Sequence, residues 1–289
     1  MTCDAHIHFF SPRFFELLGA PDVFARTEWH DPVSVDALAD RWRAELDKHG
    51  VHRATLIASL PGDEMSVAAA AARHPSRFVG FFMVNPTDGD ARARVESALD
   101  AGLRGVCLFP AMHRYSLLDD RVAEIFAVAA SHAAHPAVFV HCGVLSVGVR
   151  KKLSLPSPFE FRYGNPLDVQ PLAQAHASVS VIIPHFGAGM FREALMLAEA
   201  CGNVFLDTSS SNTWMRYLPG LTLPQIFRTA IDVVGADRLL FGTDSSFFPR
   251  GWNKAIYDAQ QKAVGDALVP PDAREKIFGG NFQKLFPLV

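Results

Sequence analysis

Apolar residues along this chain gather in short blocks, separated by longer stretches where they recur every three or four positions. The blocks are five to eight residues long and rich in Val, Ile, Leu and Phe, as buried strands are. They occupy residues 3–8, 54–60, 78–85, 105–110, 137–143, 179–185, 204–208 and 239–244. The stretches 35–49, 63–73, 90–101, 120–132, 167–177, 190–200 and 224–234 carry the period of amphipathic helices. Capping residues stand at several starts (Ser34, Asp63, Asp88, Asp119), and Gly50, Gly102 and Gly202 follow three ends. Eight strands alternating with helices over 289 residues predict an α/β fold, a parallel (β/α)8 TIM barrel forming one domain over residues 1–289. The competing architecture is an open doubly wound sheet, but no glycine-rich phosphate loop follows the first block.

The first block, "CDAHIHFF", is unusual for its polarity. Strict alternation would put Asp4, His6 and His8 on one face and Ala5, Ile7 and Phe9 on the other. Barrel active sites form at the C-terminal ends of the strands. At those ends the fifth block ("FVHCG") places His141, the sixth ("IIPHFGAG") His185 and the eighth ("LLFGTDSS") Asp244. Imidazoles and a carboxylate converging on one rim suit a borderline-soft divalent ion, zinc by default. Any one of these residues has an ordinary structural reading: His185 as a hydrogen-bonded strand-end histidine, Asp244 as the cap of the next segment. It is the convergence of all five that favours chemistry.

Composition narrows the partners. A net charge of −3 argues against nucleic acid and anionic membranes. No apolar run approaches the ~20 residues of a membrane span, and the start lacks the basic region and cleavage motif of a signal peptide. Cys3, Cys107, Cys142 and Cys201 show no CxxC pairing. Free buried thiols and a cytoplasmic location are the expectation. Two connections are long: residues 9–33 with Phe14, Phe15, Phe24 and Trp29, and residues 144–166 with Arg150, Lys151, Lys152, Phe159, Phe161, Arg162 and Tyr163. Their aromatic content favours order and a role at the site.

The pieces "DAHIHFF", "GVCLFP", "FVHCG", "IIPHFGAG", "FGTDSSF" and "IFGGNFQKLF" run from residue 4 to residue 286. In that order they resemble the amidohydrolase superfamily, in its amidohydrolase-related branch. That branch includes aminocarboxymuconate semialdehyde decarboxylase, resorcylate decarboxylases and pyrone dicarboxylate lactonase. The resemblance implies His6, His8, His141 and Asp244 as metal ligands, with His185 beside the metal as acid/base or carbonyl-polarising group. Binuclear members bridge two metals with a carbamylated lysine at the end of strand four. Here Cys107 stands where many relatives carry Lys, so one divalent ion is expected, Zn2+ first and Mn2+ or Mg2+ as substitutes. The lactonase type works without metal.

The implied chemistry is hydrolysis: a metal-activated water attacks the carbonyl of a lactone, amide or similar group, with Asp244 accepting a proton. The alternative is non-oxidative decarboxylation of an unsaturated or aromatic acid. A metal-free binding protein is disfavoured by the intact set of five. The shortness of the chain tilts the choice to hydrolysis. The expected partner is a small anionic molecule, with assembly as a homodimer left open. Candidate substrate residues in the strand-end loops are Arg13, Arg114, Arg162, Arg216, Arg250 and Trp252, arginine being suited to bidentate carboxylate recognition.

Overall fold

The computed structural model describes residues 1–19, 22–209 and 213–288. Its eight strands pair in parallel in chain order: β1 Thr2–His8, β2 Val51–Ala58, β3 Phe78–Val84, β4 Gly105–Leu108, β5 Ala137–Val140, β6 Val181–Ile183, β7 Val204–Asp207 and β8 Leu239–Leu240. The segment after β8 returns to β1. Ala5 N donates to Phe241 O at 2.8 Å, His8 N donates to Ser245 O at 2.7 Å, and Ile7 bridges Ser245. The strands therefore close into a TIM barrel.

The ring around it is α1 Val35–Lys48, α2 Glu64–Arg73, α3 Ala91–Asp100, α4 Asp120–Ser131, α5 Gln170–Ala175, α6 Phe191–Ala200, α7 Leu223–Val234 and α8 Lys254–Asp266. Ser34 and Asp119 do cap helices, accepting from Ala37 N and Arg121 N. Asp63 does not; both its oxygens accept from Ser11 Oγ, at 2.7 and 2.8 Å. The expected helix 167–177 splits into a 3-10 turn, Pro166–Val169, and the short α5. Pro171 causes this, because it has no N–H to continue an α-helical ladder.

Two apolar layers follow from strand alternation. Ile57, Phe81, Met83, Cys107, Phe139 and Ile182 fill the barrel interior. Leu56, Phe82, Val106, Val138 and Leu206 face outward onto the helices. Phe282 and Phe286, on and after the C-terminal helix Asn281–Leu285, close the bottom of the interior. The mouth at the opposite end carries the polar groups.

β1 departs from the expected parity. Asp4 pairs with Ala54 and Ile7 with Leu56, so Ala5 and His6 together oppose Thr55 alone. This β-bulge resets the alternation. Ala5 points into the barrel, Ile7 packs outward, and His6 and His8 meet at the mouth. Asp4 lies on the opposite face, not with the histidines. It accepts from Thr243 N at 3.1 Å, Thr243 Oγ1 at 2.5 Å, Trp252 Nε1 at 2.7 Å and His6 N at 2.9 Å. Asp4 is thus a buried strap between β1 and the segment after β8. Burial raises its pKa to about 6, against the pull of those donors.

Strands six and eight are shorter than expected for a related reason. Pro184 ends β6, and the chain then turns with His185 at φ 57° and Phe186 at φ 51°. Asp244 adopts φ 56° after β8. Non-glycine residues held in the left-handed region cost about 1–3 kcal/mol each and gather at functional sites. At the end of β5, Gly143 admits this turn. A Cβ there would lie 2.2 Å from Gly187 O and 2.4 Å from Ala188 O.

Candidate metal centre and active-site cavity

Three side chains from the two ends of the barrel seam meet at the mouth. His6 Nε2 lies 3.3 Å from His8 Nε2. Asp244 Oδ1 lies 3.2 Å from His8 Nε2 and 3.8 Å from His6 Nε2. The far nitrogen of each ring decides where its proton sits. His6 Nδ1 is 2.7 Å from the buried carboxylate Asp207 Oδ2, at the end of β7, and must donate to it. His8 Nδ1 is 2.7 Å from Ser59 Oγ, and that hydroxyl already donates to Ile57 O at 3.1 Å. His8 Nδ1 therefore donates as well. Both neutral imidazoles then turn bare Nε2 lone pairs toward each other and toward a carboxylate oxygen. Three acceptors within contact of one another repel unless a cation stands between them. The donor set, two imidazole nitrogens and one carboxylate, fits a divalent ion.

Before an ion binds, a proton answers the same demand for positive charge among these three atoms, and the titration of the groups reflects it. Burial lowers the pKa of His8, despite the hydrogen bond and charge of Asp244. Burial would also lower His6, but the charge and hydrogen bond of Asp207 outweigh it and the net shift is upward. Asp244 is held below the usual carboxylate range: burial opposes this, but the hydrogen bond to His8 and the surrounding imidazoles prevail.

His185 stands behind this group. Its ring stacks on His6 with centroids 5.1 Å apart, and its Nδ1 donates to Ser209 O at 2.8 Å. That fixes Nε2 as the atom facing the cavity. Burial lowers its pKa, so the ring is neutral and Nε2 accepts rather than donates. Ser209 ties the two histidines together. Its hydroxyl lies 2.9 Å from Asp207 Oδ2, 2.9 Å from His6 Nδ1 and 3.0 Å from His185 Nδ1.

His141 is not in the close group of three. Its ring stacks on Phe109 at 5.2 Å and meets His185 edge-on at 5.2 Å. Burial pushes its pKa well down, and its Nδ1 is buried without a hydrogen-bond partner. Cys107 sits in the interior layer below, fully buried.

A match to the family described as Amidohydrolase extends over residues 3–288. The chain belongs to that family. Solved structures share the fold of this chain at low sequence identity. An amidohydrolase from Burkholderia multivorans with bound zinc is 17% identical, aligned over 100% of both chains with a TM-score of 0.68. The 5-carboxyvanillate decarboxylase from Novosphingobium aromaticivorans, complexed with manganese and 4-hydroxy-3-methoxy-5-nitrobenzoic acid, is 14% identical over 100% of this chain and 96% of its own, with a TM-score of 0.66. A probable 2-pyrone-4,6-dicarboxylic acid hydrolase from Acinetobacter baumannii, with citric acid bound, is 17% identical over 99% of this chain and 98% of its own, with a TM-score of 0.63. No curated protein matches the chain. The decarboxylase spans nearly the same length, so the shortness of the chain carries no weight for hydrolysis.

The mouth of the barrel opens into a cavity of about 570 Å3. Arg216 and Arg250 line it, as do Arg150, Lys151 and Lys152 from the loop helix Gly148–Lys152. Asp244 is the one carboxylate among the described lining residues. Arg250 Nη2 donates to Ser246 Oγ at 2.9 Å and contacts Asp244 O at 3.3 Å, and its guanidinium sits 4.5 Å over the Phe247 ring.

The other expected substrate residues lie elsewhere. Arg13 pairs with Glu16 at 2.9 Å and Arg162 with Glu160 at 2.7 Å, both exposed to solvent. Arg114 occupies the left-handed end of the turn Pro110–His113 and does not reach the cavity. Trp252 is buried against the outside of the barrel, held by Asp4. Sequence reading named the loop that carries Arg150, Lys151 and Lys152 but assigned them no role. It missed Asp207, Ser209 and Ser59 altogether. The strand-end rule applied to "FLDTSS" would have found Asp207 and Ser209.

Proposed function

We propose that this amidohydrolase is a metal-dependent hydrolase acting on a lactone, amide or similar carbonyl of a small carboxylate-bearing substrate. The observation that carries this reading is the convergence of His6 Nε2, His8 Nε2 and Asp244 Oδ1. The other rim of the same cavity is cationic. His6, His8 and Asp244 would hold one divalent ion, zinc or manganese, with His141, whose buried Nδ1 has no hydrogen-bond partner, as a further ligand. When bound, the ion supplies Lewis-acid polarisation of a carbonyl and a water of lowered pKa.

The chain's own groups do the rest. Asp244 is ionised and the more open of the three, so it can accept a proton from the attacking water. His185 Nε2 is an acceptor, which makes His185 a general base rather than a donor to a developing oxyanion. Asp207 and Ser59 hold the proton on Nδ1 of His6 and His8 through the cycle. Arg150, Lys151, Lys152, Arg216 and Arg250 form no ion pair among the described residues. Unpaired cations facing a cavity with aromatic walls favour a flat anion.

The second reading is a carboxy-lyase of an aromatic or unsaturated acid. It is favoured by the ring of Phe10 standing 5.9 Å from that of His8, where an aryl group could stack. The fold-related decarboxylase, with manganese and a nitrobenzoic acid, supports it too.

The test is a screen of zinc- and manganese-loaded protein against lactones, amides and aromatic or unsaturated carboxylic acids, with carbon dioxide monitored. Hydrolysis without gas supports the first reading. Stoichiometric carbon dioxide replaces it with the second. Failure to bind either metal at about one per chain removes both.

A further inference from the structure

Under the two long loops the cavity wall beside the metal group is largely apolar, and two kinds of apolar side chain meet there. Phe15, Val23 and Leu153 are buried in a satellite core that joins the loop helix Pro12–Leu18 to the loop helix Gly148–Lys152. That core holds the two long loops together over the mouth, and these three residues do not line the cavity. Phe10, Leu18, Leu60 and Phe247 belong to the same cluster but stay only half-buried, and they do line it. Packing the loops accounts for the first set. It does not account for a second set that keeps apolar faces toward a cavity, where uncovered apolar surface is unfavourable.

The second set is continuous with the site. Starting from His8, ring centroids step 5.9 Å to Phe10, 5.9 Å on to Trp29 and 4.0 Å to Phe247. Phe14 stacks on Phe10 at 4.1 Å. Lys152 Nζ hangs 5.7 Å from the Trp29 ring and 5.9 Å from the Phe247 ring. A cationic group entering here would meet Lys152 and Arg250. A volume of about 570 Å3 lies in the range that houses a drug-sized ligand. A one-ring acid stacked on Phe10 beside the metal group would leave water against Leu18 and Leu60.

Resting on the reading of the metal group and cationic rim as a site for a carboxylate-bearing substrate, we infer that this apolar wall of the cavity is a subsite for a neutral apolar arm. The substrate then carries, beyond its reacting carbonyl and its anionic group, an aryl or comparably bulky alkyl extension. Leu18, at the end of the first loop helix, and Leu60, after β2, determine specificity for that arm.

The probes are benzoate, 3-phenylbenzoate and 4-phenylbenzoate, titrated calorimetrically into the zinc-loaded full chain. The second ring buries apolar area against the subsite, so one of the two phenylbenzoates should bind at least about tenfold more tightly than benzoate. In Leu18→Asp and in Leu60→Asn the ratio between that phenylbenzoate and benzoate should fall toward one. Zinc content equal to that of the parent chain verifies that each variant is folded. Two variants on different elements are used so that failure of one to fold leaves the test intact. Equal binding of all three acids overturns the arm while leaving the carboxylate site standing. A gain that survives both substitutions places the second ring elsewhere and overturns the subsite. If none of the three acids binds the zinc-loaded chain, the reading of the cavity as an anion site has failed, and the arm falls with it.

Discussion

Replacing Asp207 with Asn keeps the volume and changes one oxygen for an amide. In the parent chain Asp207 Oδ1 accepts from Ser209 N at 2.5 Å, while Oδ2 accepts from Ser209 Oγ at 2.9 Å and His6 Nδ1 at 2.7 Å. An amide can satisfy only one side. Keeping its oxygen on Ser209 N turns its NH2 toward His6, which makes Nδ1 an acceptor and moves the ring proton to Nε2. That is the atom facing His8 and Asp244. A hydrogen bond to a charged group contributes about 1.5–3 kcal/mol, and loss of the partner behind a ligating histidine typically weakens metal binding ~10–100-fold. The two ranges overlap, since 1.4 kcal/mol is a factor of about ten. The assay is zinc competition against a chelator of known affinity, with thermal unfolding of the metal-free protein alongside. Affinity should fall by about that factor. Metal-free stability should hold or rise, because a proton on Nε2 relieves the repulsion among three acceptors. Unchanged zinc affinity would refute the reasoning. So would a loss of metal-free stability large enough to account for the weaker binding, since that would make Asp207 a packing residue.

His185→Asn should lower turnover on the enzyme's substrate by about 10²–10⁴, as expected for a general base, with metal content retained; metal loss matching that of a His6→Ala and His8→Ala double variant would make His185 a ligand instead. Trp252→Phe removes one donor from the buried Asp4 carboxylate and should cost about 1–3 kcal/mol in urea unfolding, with zinc affinity kept, whereas weakened anion binding at unchanged stability would return Trp252 to the cavity. Asp63, buried against Ser11, has its pKa raised by burial to about 6 from the ordinary 3.8. A carboxyl raised in the folded state contributes stability below about pH 4 that is lost as the pH rises through about 6. The gap corresponds to about 3 kcal/mol. Asp63→Asn should flatten that part of the stability curve, and a parent and variant with parallel curves between pH 4 and 7 would show that Asp63 is ionised throughout.

The barrel and the strand-end histidines were legible because both follow from position along a strand. A block of apolar residues ends where its polar residue begins, and that end lies at the mouth whichever way the neighbouring loops run. Side-chain destinations beyond the strand ends were not legible in this way. Asp4 follows the alternation rule in the sequence, yet it faces away from His6, because Ala5 and His6 share one partner across the ladder. Only the pairing with β2 contains that information. Arg13 and Arg162 resemble Arg250 as sequence, but each has a glutamate within reach in its own turn. Arg250 has Ser246 and a backbone carbonyl. The groups that were missed share one property. Ser59, Asp207 and Ser209 do not look reactive, and each acts by fixing a proton on another residue's ring. Those rings sit on β1 and just after β6, and the proton on each is set from another strand: the next one in chain order for His8 and His185, and β7, six strands on, for His6. Barrel closure is what makes such locks available. β1 lies beside β2 on one side and beside the β8 segment on the other, with β7 one strand further round. His6 and His8 can therefore be held from opposite sides while their Nε2 atoms converge on Asp244. The same strand order left open would give the first strand a neighbour on one side only, and leave His6 without Asp207.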